Sequence, residues 1–327
     1  MTSDPRRLSW RGRGAEDADN SIDATAAAVF AAETADRPGQ TVCVVMAAFD
    51  EEGGIGGVLA QIPSQVCGLS TEVLVVVDGA RDRTAERARA GGALVCDVPV
   101  NRGQGAALRL GYALARQRGA RFIATLDADG QYDPAQLETV VAPLVAGKAD
   151  FVTGSRRLGR SHTTDAVRGA GVVVFGALIT VLTRRRITDP ANGLRAMRAE
   201  VTAVVPLRQP QYQAAELLVG AILRGFRVVE VATVMYPRSA GATKKGGNLA
   251  YGWRFARVII GTWWRERGAA QSSAGVAGFG AAGVAGVAAP PGAAVGVAAP
   301  PGAAGVAGVA APLGAAVGLG STKITHS

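Results

Sequence analysis

The sequence predicts an α/β fold built on a mostly parallel central sheet with helices on both faces. Three observations carry this reading: short β-branched runs at 41–47, 72–78, 93–97, 121–127 and 150–154; helical patterns near 53–62, 82–91, 104–118 and 134–146; and acidic residues just past several of the runs. Runs and helices that alternate in this way form βαβ units, whose sheet is covered on both sides. Ligands of such sheets bind outside the carboxyl ends of the strands, so the residues following each run are the candidates for chemistry.

In chain order, residues 1–39 mix charge, Ala and Gly without a sustained apolar period and read as a disordered arm closed by Pro38-Gly39. No basic flank stands beside an apolar signal core in this arm, which points to the cytoplasm. The first run ends in Phe49-Asp50-Glu51-Glu52, the second reaches Asp78 and Asp82, and the fourth leads to Asp127 and Asp129. Three acidic clusters therefore meet on one edge. Asp82 also suits a cap for the helix that follows it. Gly103-Gln104-Gly105 lacks the third glycine of a dinucleotide fingerprint, with Leu108 in its place, so these glycines instead let backbone pass close to a ligand. Arg109, Arg116 and Arg118 are spaced as a solvated helix face. Asp127-Ala128-Asp129 delivers two hard oxygen ligands from the end of a buried strand. Magnesium or manganese fits them and would bridge to substrate phosphates, although the same acids also fit a solvated turn before Pro134.

Past the fifth run, the uncharged stretch 172–183 lies between Arg168 and Arg184-Arg185-Arg186 and is too short to span a bilayer. It suits a helix lying in a membrane interface or one buried in the core. The same two readings apply to 248–267, where Trp253, Phe255, Ile259, Ile260, Trp263 and Trp264 alternate with Arg254, Arg257, Arg265 and Arg267. Residues 268–327 read as a low-complexity Ala/Gly/Pro/Val tail, since Gly-Val-Ala-Ala-Pro-Pro-Gly-Ala-Ala occurs at 286–294 and again at 296–304. That leaves one domain over 40–267. Cys43, Cys67 and Cys96 form neither a disulfide framework nor a zinc pattern. The net charge of +9 calls for an anionic partner, and arginines scattered without a recognition motif argue against nucleic acid.

Five marks at strand ends, in a fixed order, carry a resemblance. They are Ala47-Ala48-Phe49-Asp50-Glu51-Glu52, Val76-Val77-Asp78-Gly79-Ala80-Arg81-Asp82-Arg83-Thr84, Asn101-Arg102-Gly103-Gln104-Gly105, Leu126-Asp127-Ala128-Asp129-Gly130-Gln131 and Thr153-Gly154-Ser155-Arg156-Arg157. From about Thr41 to Arg267 the chain resembles the family 2 glycosyltransferases, in particular the branch of the dolichol and polyprenyl phosphate mannose synthases. The resemblance implies the GT-A fold with interfacial C-terminal helices. It also implies an inverting transfer from a GDP- or UDP-sugar to a polyprenyl phosphate by an enzyme peripheral to the cytoplasmic face of the membrane, with Mg2+ or Mn2+ on Asp127 and Asp129. Ala48, Glu51, Asp78, Arg102, Gly105, Ala128 and Gln131 would form the donor pocket with the two aspartates. Arg238 and Lys244 would sit on a loop closing over the donor phosphates, and Arg156 and Arg195 would meet the acceptor. Val77 stands where the family usually has an acid, so either Asp78 or Asp82 takes over base recognition or the base preference differs. A phosphate acceptor is already ionised and needs no base, whereas a soluble or glycan hydroxyl would need a carboxylate, for which Glu216 is the candidate. A basic nucleic-acid-binding protein and an inactive scaffold are the readings outside catalysis.

Overall fold

The computed structural model describes residues 13–162, 166–237 and 248–267. Its strands are β1 (Val42–Ala48), β2 (Gln65–Val66), β3 (Leu69–Asp78), β4 (Leu94–Val98), β5 (Phe122–Thr125), β6 (Phe151–Ser161), β7 (Arg195–Arg198) and β8 (Val228–Met235). β3 pairs with β4 on one side and with β1 on the other, and the sheet continues β1-β5-β7-β6-β8. Only the short β2 and β7 pair antiparallel; β1, β3, β4 and β5 run parallel to one another, as do β6 and β8. The carboxyl ends of these parallel strands therefore share one edge. β1 is Val-Cys-Val-Val-Met-Ala-Ala and is buried almost throughout, the composition of a central strand covered on both faces.

The helices are α1 (Arg13–Glu33), α2 (Ile55–Leu59), α3 (Thr84–Ala90), α4 (Gln104–Gln117), α5 (Leu137–Val145), α6 (Ala166–Thr183), α7 (Ala199–Val204), α8 (Gln213–Leu223) and α9 (Asn248–Glu266). Strand side chains alternate between two cores. Val45, Val76, Ile123 and Met197 pack with Phe30 of α1, Leu108 and Tyr112 of α4, Leu217 of α8 and Phe255 of α9. Val44, Val75, Phe122 and Ala196 pack on the other face with Ile55 and Val58 of α2 and with Leu137 and Val140 of α5. This is the two-sided α/β arrangement expected from the sequence.

One expectation is corrected. Residues 13–33 form helix α1 rather than part of a disordered arm: Ala26 and Phe30, one turn apart, are buried at 6% and 2% exposure, and the Ala-rich segment around them favours helix. The buried stripe is too narrow to register as an apolar period. The sheet is mostly parallel, as expected, with an antiparallel insertion past the βαβ units. β7 enters antiparallel between β5 and β6, with Arg195 paired to both Thr125 and Thr153. Residues 1–12 and the tail 268–327 lie outside the described residues.

Helix α4 lies directly on β1 and β3 because Gly111 has no side chain. A β-carbon there would stand 2.5 Å from Val45 Cγ1 and 3.2 Å from Val76 Cγ2, both branched and fixed by strand geometry. Gly111→Ala is expected to lower stability by about 1–3 kcal/mol through overpacking. Urea denaturation measures the change, and an unaltered midpoint would contradict this account of the α4 contact.

Candidate active site

The turns at the carboxyl edge are fastened to one another by carboxylates. Asp50 Oδ1 accepts the Arg81 N–H at 2.8 Å, Glu52 Oε2 accepts the Arg83 N–H at 3.1 Å, and Asp82 Oδ2 accepts the Glu52 N–H at 3.1 Å. Thr84 Oγ1 accepts the Glu51 N–H at 2.8 Å, which completes the link between the turn after β1 and the turn after β3. Burial pushes the Asp82 carboxyl up, but the hydrogen bonds from Thr84 and Glu52 outweigh it and hold the group below its usual range. Asp82 is thus committed to joining two turns. Arg83 is the residue preceding α3.

Asp78, at the end of β3, is 2% exposed. Its carboxylate accepts the N–H of Arg102 at 3.0 Å and that of Gly103 at 2.7 Å. Burial raises its pKa, and the two backbone donors only partly offset this. Gly103 has φ 98, a conformation open to glycine and strained for other residues, which lets the chain turn its N–H onto Asp78 before α4 begins. The Arg102 guanidinium is buried and pairs with Asp23 of α1 at 2.7 Å, so it is not presented to a phosphate as expected. The Gly105 N–H donates to Pro210 O at 2.8 Å and faces the 208–210 loop.

Asp127 and Asp129 follow β5 and reach the same edge. Ala128 between them is 4% exposed, and Ala48 at the end of β1 is 1% exposed, so both shape the floor under the site. The Gln104 side chain donates to Asp127 Oδ1 at 3.2 Å, and the Gln131 N–H donates to Asp129 Oδ1 at 3.1 Å. Gln131 also receives the Tyr236 N–H at 2.8 Å, which joins the acidic turn to the chain just past β8. A cavity of about 410 Å3, lined by Gly54, Val58, Gly130, Tyr132 and Tyr236, opens beside this turn and is within the size range of small-molecule sites. Gly193, brought alongside by the segment leading into β7, leaves room for the Asp127 carboxylate, with which any β-carbon at 193 would collide. Among the described residues no group of three or more His, Cys, Asp or Glu could hold a metal ion. The aspartate pair fits a hard divalent cation that takes its remaining ligands from water and a bound diphosphate.

Three further expectations are corrected. Arg156 is held bidentate by Asp189, with Nε and Nη2 each 2.6 Å from a carboxylate oxygen, so its fork is not offered to an acceptor. Arg195 is 4% exposed and donates through Nε to Asn192 O at 2.8 Å; burial pulls its pKa down, and it lies beneath the surface. Glu216 is fully buried. One oxygen accepts the N–H groups of Arg208 at 2.9 Å and Gln209 at 3.0 Å, and the other pairs with Arg265 at 2.8 Å, which leaves it ill placed to take a proton. Glu51 and Gln131 do lie at the edge with the two aspartates, while Arg238 and Lys244 lie outside the described residues. Sequence reasoning missed Gly193 and also Gln104, although the latter sits in a stretch it had singled out.

Comparison with known proteins agrees with this geometry. Residues 43–204 match the sequence profile of glycosyl transferase family 2. A dolichyl-phosphate hexose transferase from Haloferax volcanii is 32% identical over 222 residues, 67% of this chain and 94% of that protein. A dodecaprenyl-phosphate galacturonate synthase from Rhizobium johnstonii is 26% identical over 66% of this chain and 64% of its own length. The fold matches that of glucosyl-3-phosphoglycerate synthase from Mycobacterium tuberculosis, solved with Mn2+, UDP and glucosyl-3-phosphoglycerate, at a TM-score of 0.55 and 24% identity over 74% of this chain and 84% of that one. The chain belongs to glycosyl transferase family 2 and has the GT-A fold.

Two outcomes follow from the geometry. In Gly193→Ala the new methyl displaces the Asp127 carboxylate, so Mn2+-dependent nucleotide binding, read by calorimetry, should be lost while circular dichroism stays native. Burial alone would raise the Asp189 pKa, but the pair with Arg156 outweighs it and holds the group below its ordinary 3.8. Its contribution to stability is therefore present above that value and lost as the pH falls through the lower folded-state pKa. Asp189→Ala should cost about 3–5 kcal/mol at neutral pH by leaving Arg156 unpaired, and thermal unfolding along an acid series should show the gap to wild type closing below the ordinary carboxylate pKa.

Proposed function

We propose that this family 2 glycosyltransferase moves a hexosyl group from a nucleotide-diphosphate sugar to a polyprenyl phosphate, working peripherally at the cytoplasmic face of a membrane. The observation that carries the acceptor class is the outer surface of α6 and α9. Val174 and Val181, seven residues apart on α6, are 61% and 76% exposed, and Trp253, Ile260 and Trp264 on α9 are 66%, 47% and 63% exposed. Each set forms a stripe on one helix face. The two helices are joined by the Phe175 and Phe255 rings, 4.7 Å between centroids, and by the Trp263 indole N–H donating to Leu182 O at 2.9 Å. Arg257 lies over the Trp253 ring and Arg267 over the Trp264 ring, with Arg184, Arg185 and Arg186 exposed after α6. Exposed indoles and valines beside arginines suit the boundary between lipid tails and anionic headgroups. No helix among the described residues is long and apolar enough to cross a membrane. The Haloferax and Rhizobium relatives, whose names specify dolichyl and dodecaprenyl phosphate, support the same acceptor class.

At the donor end, Asp127 and Asp129 would hold Mg2+ or Mn2+, which when bound neutralises the charge on the departing diphosphate. Gln104 and Gly193 set the Asp127 carboxylate, and Gln131 turns back onto Asp129. The turns bearing Glu51 and Asp78 fix the outer wall of the donor pocket. A polyprenyl phosphate attacks as an anion, so orientation rather than proton removal is what the protein must supply. The commitment of Glu216 to Arg265 is consistent with this. A hydroxyl acceptor would require that buried pair to separate before Glu216 could act as a base.

Radiolabelled UDP- and GDP-sugars, offered with polyprenyl phosphate in anionic vesicles with and without manganese, test the reading. Metal-dependent labelled lipid is the expected product, with Asp129→Ala reducing its formation by about two orders of magnitude. Trp253→Ser with Trp264→Ser should reduce vesicle binding while leaving donor affinity intact. Metal-dependent donor hydrolysis without labelled lipid would exclude the polyprenyl acceptor.

A further inference from the structure

We propose that Asp23, on a helix that precedes the family-matched region, is a positioning residue for donor binding. The inference rests on the donor reading above. Residues 43–204 carry the family match, and α1 lies wholly before them. Ala26 and Phe30 nonetheless belong to the core shared with α4. From this helix Asp23 reaches Arg102 at 2.7 Å and Arg109 of α4 at 3.7 Å. The Arg102 side chain is 1% exposed, and its Nε also stands 3.9 Å from Asp78 Oδ1. One residue thus links the donor turn outward through its guanidinium to α1 and inward through its backbone N–H to Asp78.

The physical consequence follows from desolvation. A guanidinium buried to this degree needs an anion, and Asp23 is the nearer one. Loss of the 2.7 Å contact with Asp23 shifts the balance of the guanidinium toward Asp78 or toward water. Turning toward Asp78 competes with the N–H groups of Arg102 and Gly103 for the same two oxygens, and moving outward draws the 101–103 turn with it. Either movement unsettles the turn whose backbone passes the donor, while Asp127 and Asp129, which follow β5, keep their contacts with Gly193 and the Gln131 N–H. Donor affinity should therefore fall without a matching fall in the chemical step.

The test measures Mn2+-dependent UDP and GDP binding by calorimetry, with steady-state kinetics on the full chain, for wild type, Asp23→Asn, Asp23→Glu and Glu33→Gln. The last variant removes a charge from the same helix at an exposed pair with Arg89, 3.8 Å long, and should behave as wild type. Asp23→Asn should raise the nucleotide dissociation constant and the donor KM about tenfold. The kcat and the acceptor KM should stay within about twofold on this account, and Asp23→Glu should recover part of the affinity. Amide hydrogen exchange at Arg102 and Gly103 should quicken in Asp23→Asn while β1 stays protected, which separates local loosening from unfolding. Unchanged donor affinity, tighter binding, or an equal loss in kcat and acceptor KM would overturn the assignment. Failure of wild type to bind either nucleotide would overturn the donor reading, and this inference with it.

Discussion

The donor side of the molecule depends on how a parallel sheet deals with the carboxylates at its own edge. A buried carboxylate is strongly unfavourable unless protein groups replace its water. Asp78 meets this demand with backbone N–H groups, Asp189 with the fork of Arg156, and Glu216 with Arg265 and two further N–H groups. Each solution also fixes a piece of chain: the 101–103 turn, the approach to β7 and the 208–210 loop. These acids build the frame. Asp127 and Asp129 follow a central strand and are oriented by the Gln104 side chain and the Gln131 N–H, and it is this pair that the proposed function assigns to the cation.

This division explains how far the sequence could be read. Parallel strands buried on both faces are continuous apolar runs, so β1, β3, β4, β5 and the start of β6 were legible, as were the acids that follow them. The position of Asp127 and Asp129 just past β5 was legible for the same reason. The assignments of Arg102, Arg156, Arg195 and Glu216 were not, because residue type and position reveal a charge without revealing its partner. Asp23, Asp189, Asn192 and Arg265 supply those partners from elements separated from them in sequence by between three and about eighty residues, and nothing local announces the pairing.

The short strand β7 was illegible for a related reason. Arg-Ala-Met-Arg has no clear alternation, and its strand state comes from the two ladders it completes rather than from propensity. Helix α1 is similar: most of its contribution comes from two small contacts and one charge. On α9, by contrast, one face is buried and the other exposed. Phe255, Val258 and Ile259 pack inward while Trp253, Ile260 and Trp264 face outward, so the alternatives of core helix and surface helix describe two faces of one element.

The placement of β7 also bears on how the chain folds. β5 and β6 are consecutive in sequence but not neighbours in the sheet; a strand made later occupies the place between them. The parallel block of β1, β3, β4 and β5 can assemble as synthesis proceeds, but β6 must dock with a gap still open at its flank. Gly193 reaches Asp127 only when that gap closes. Such long-range pairing belongs to the slow part of folding, so the acidic turn acquires its final geometry late, and a chain arrested before that point would carry most of the sheet but no finished site.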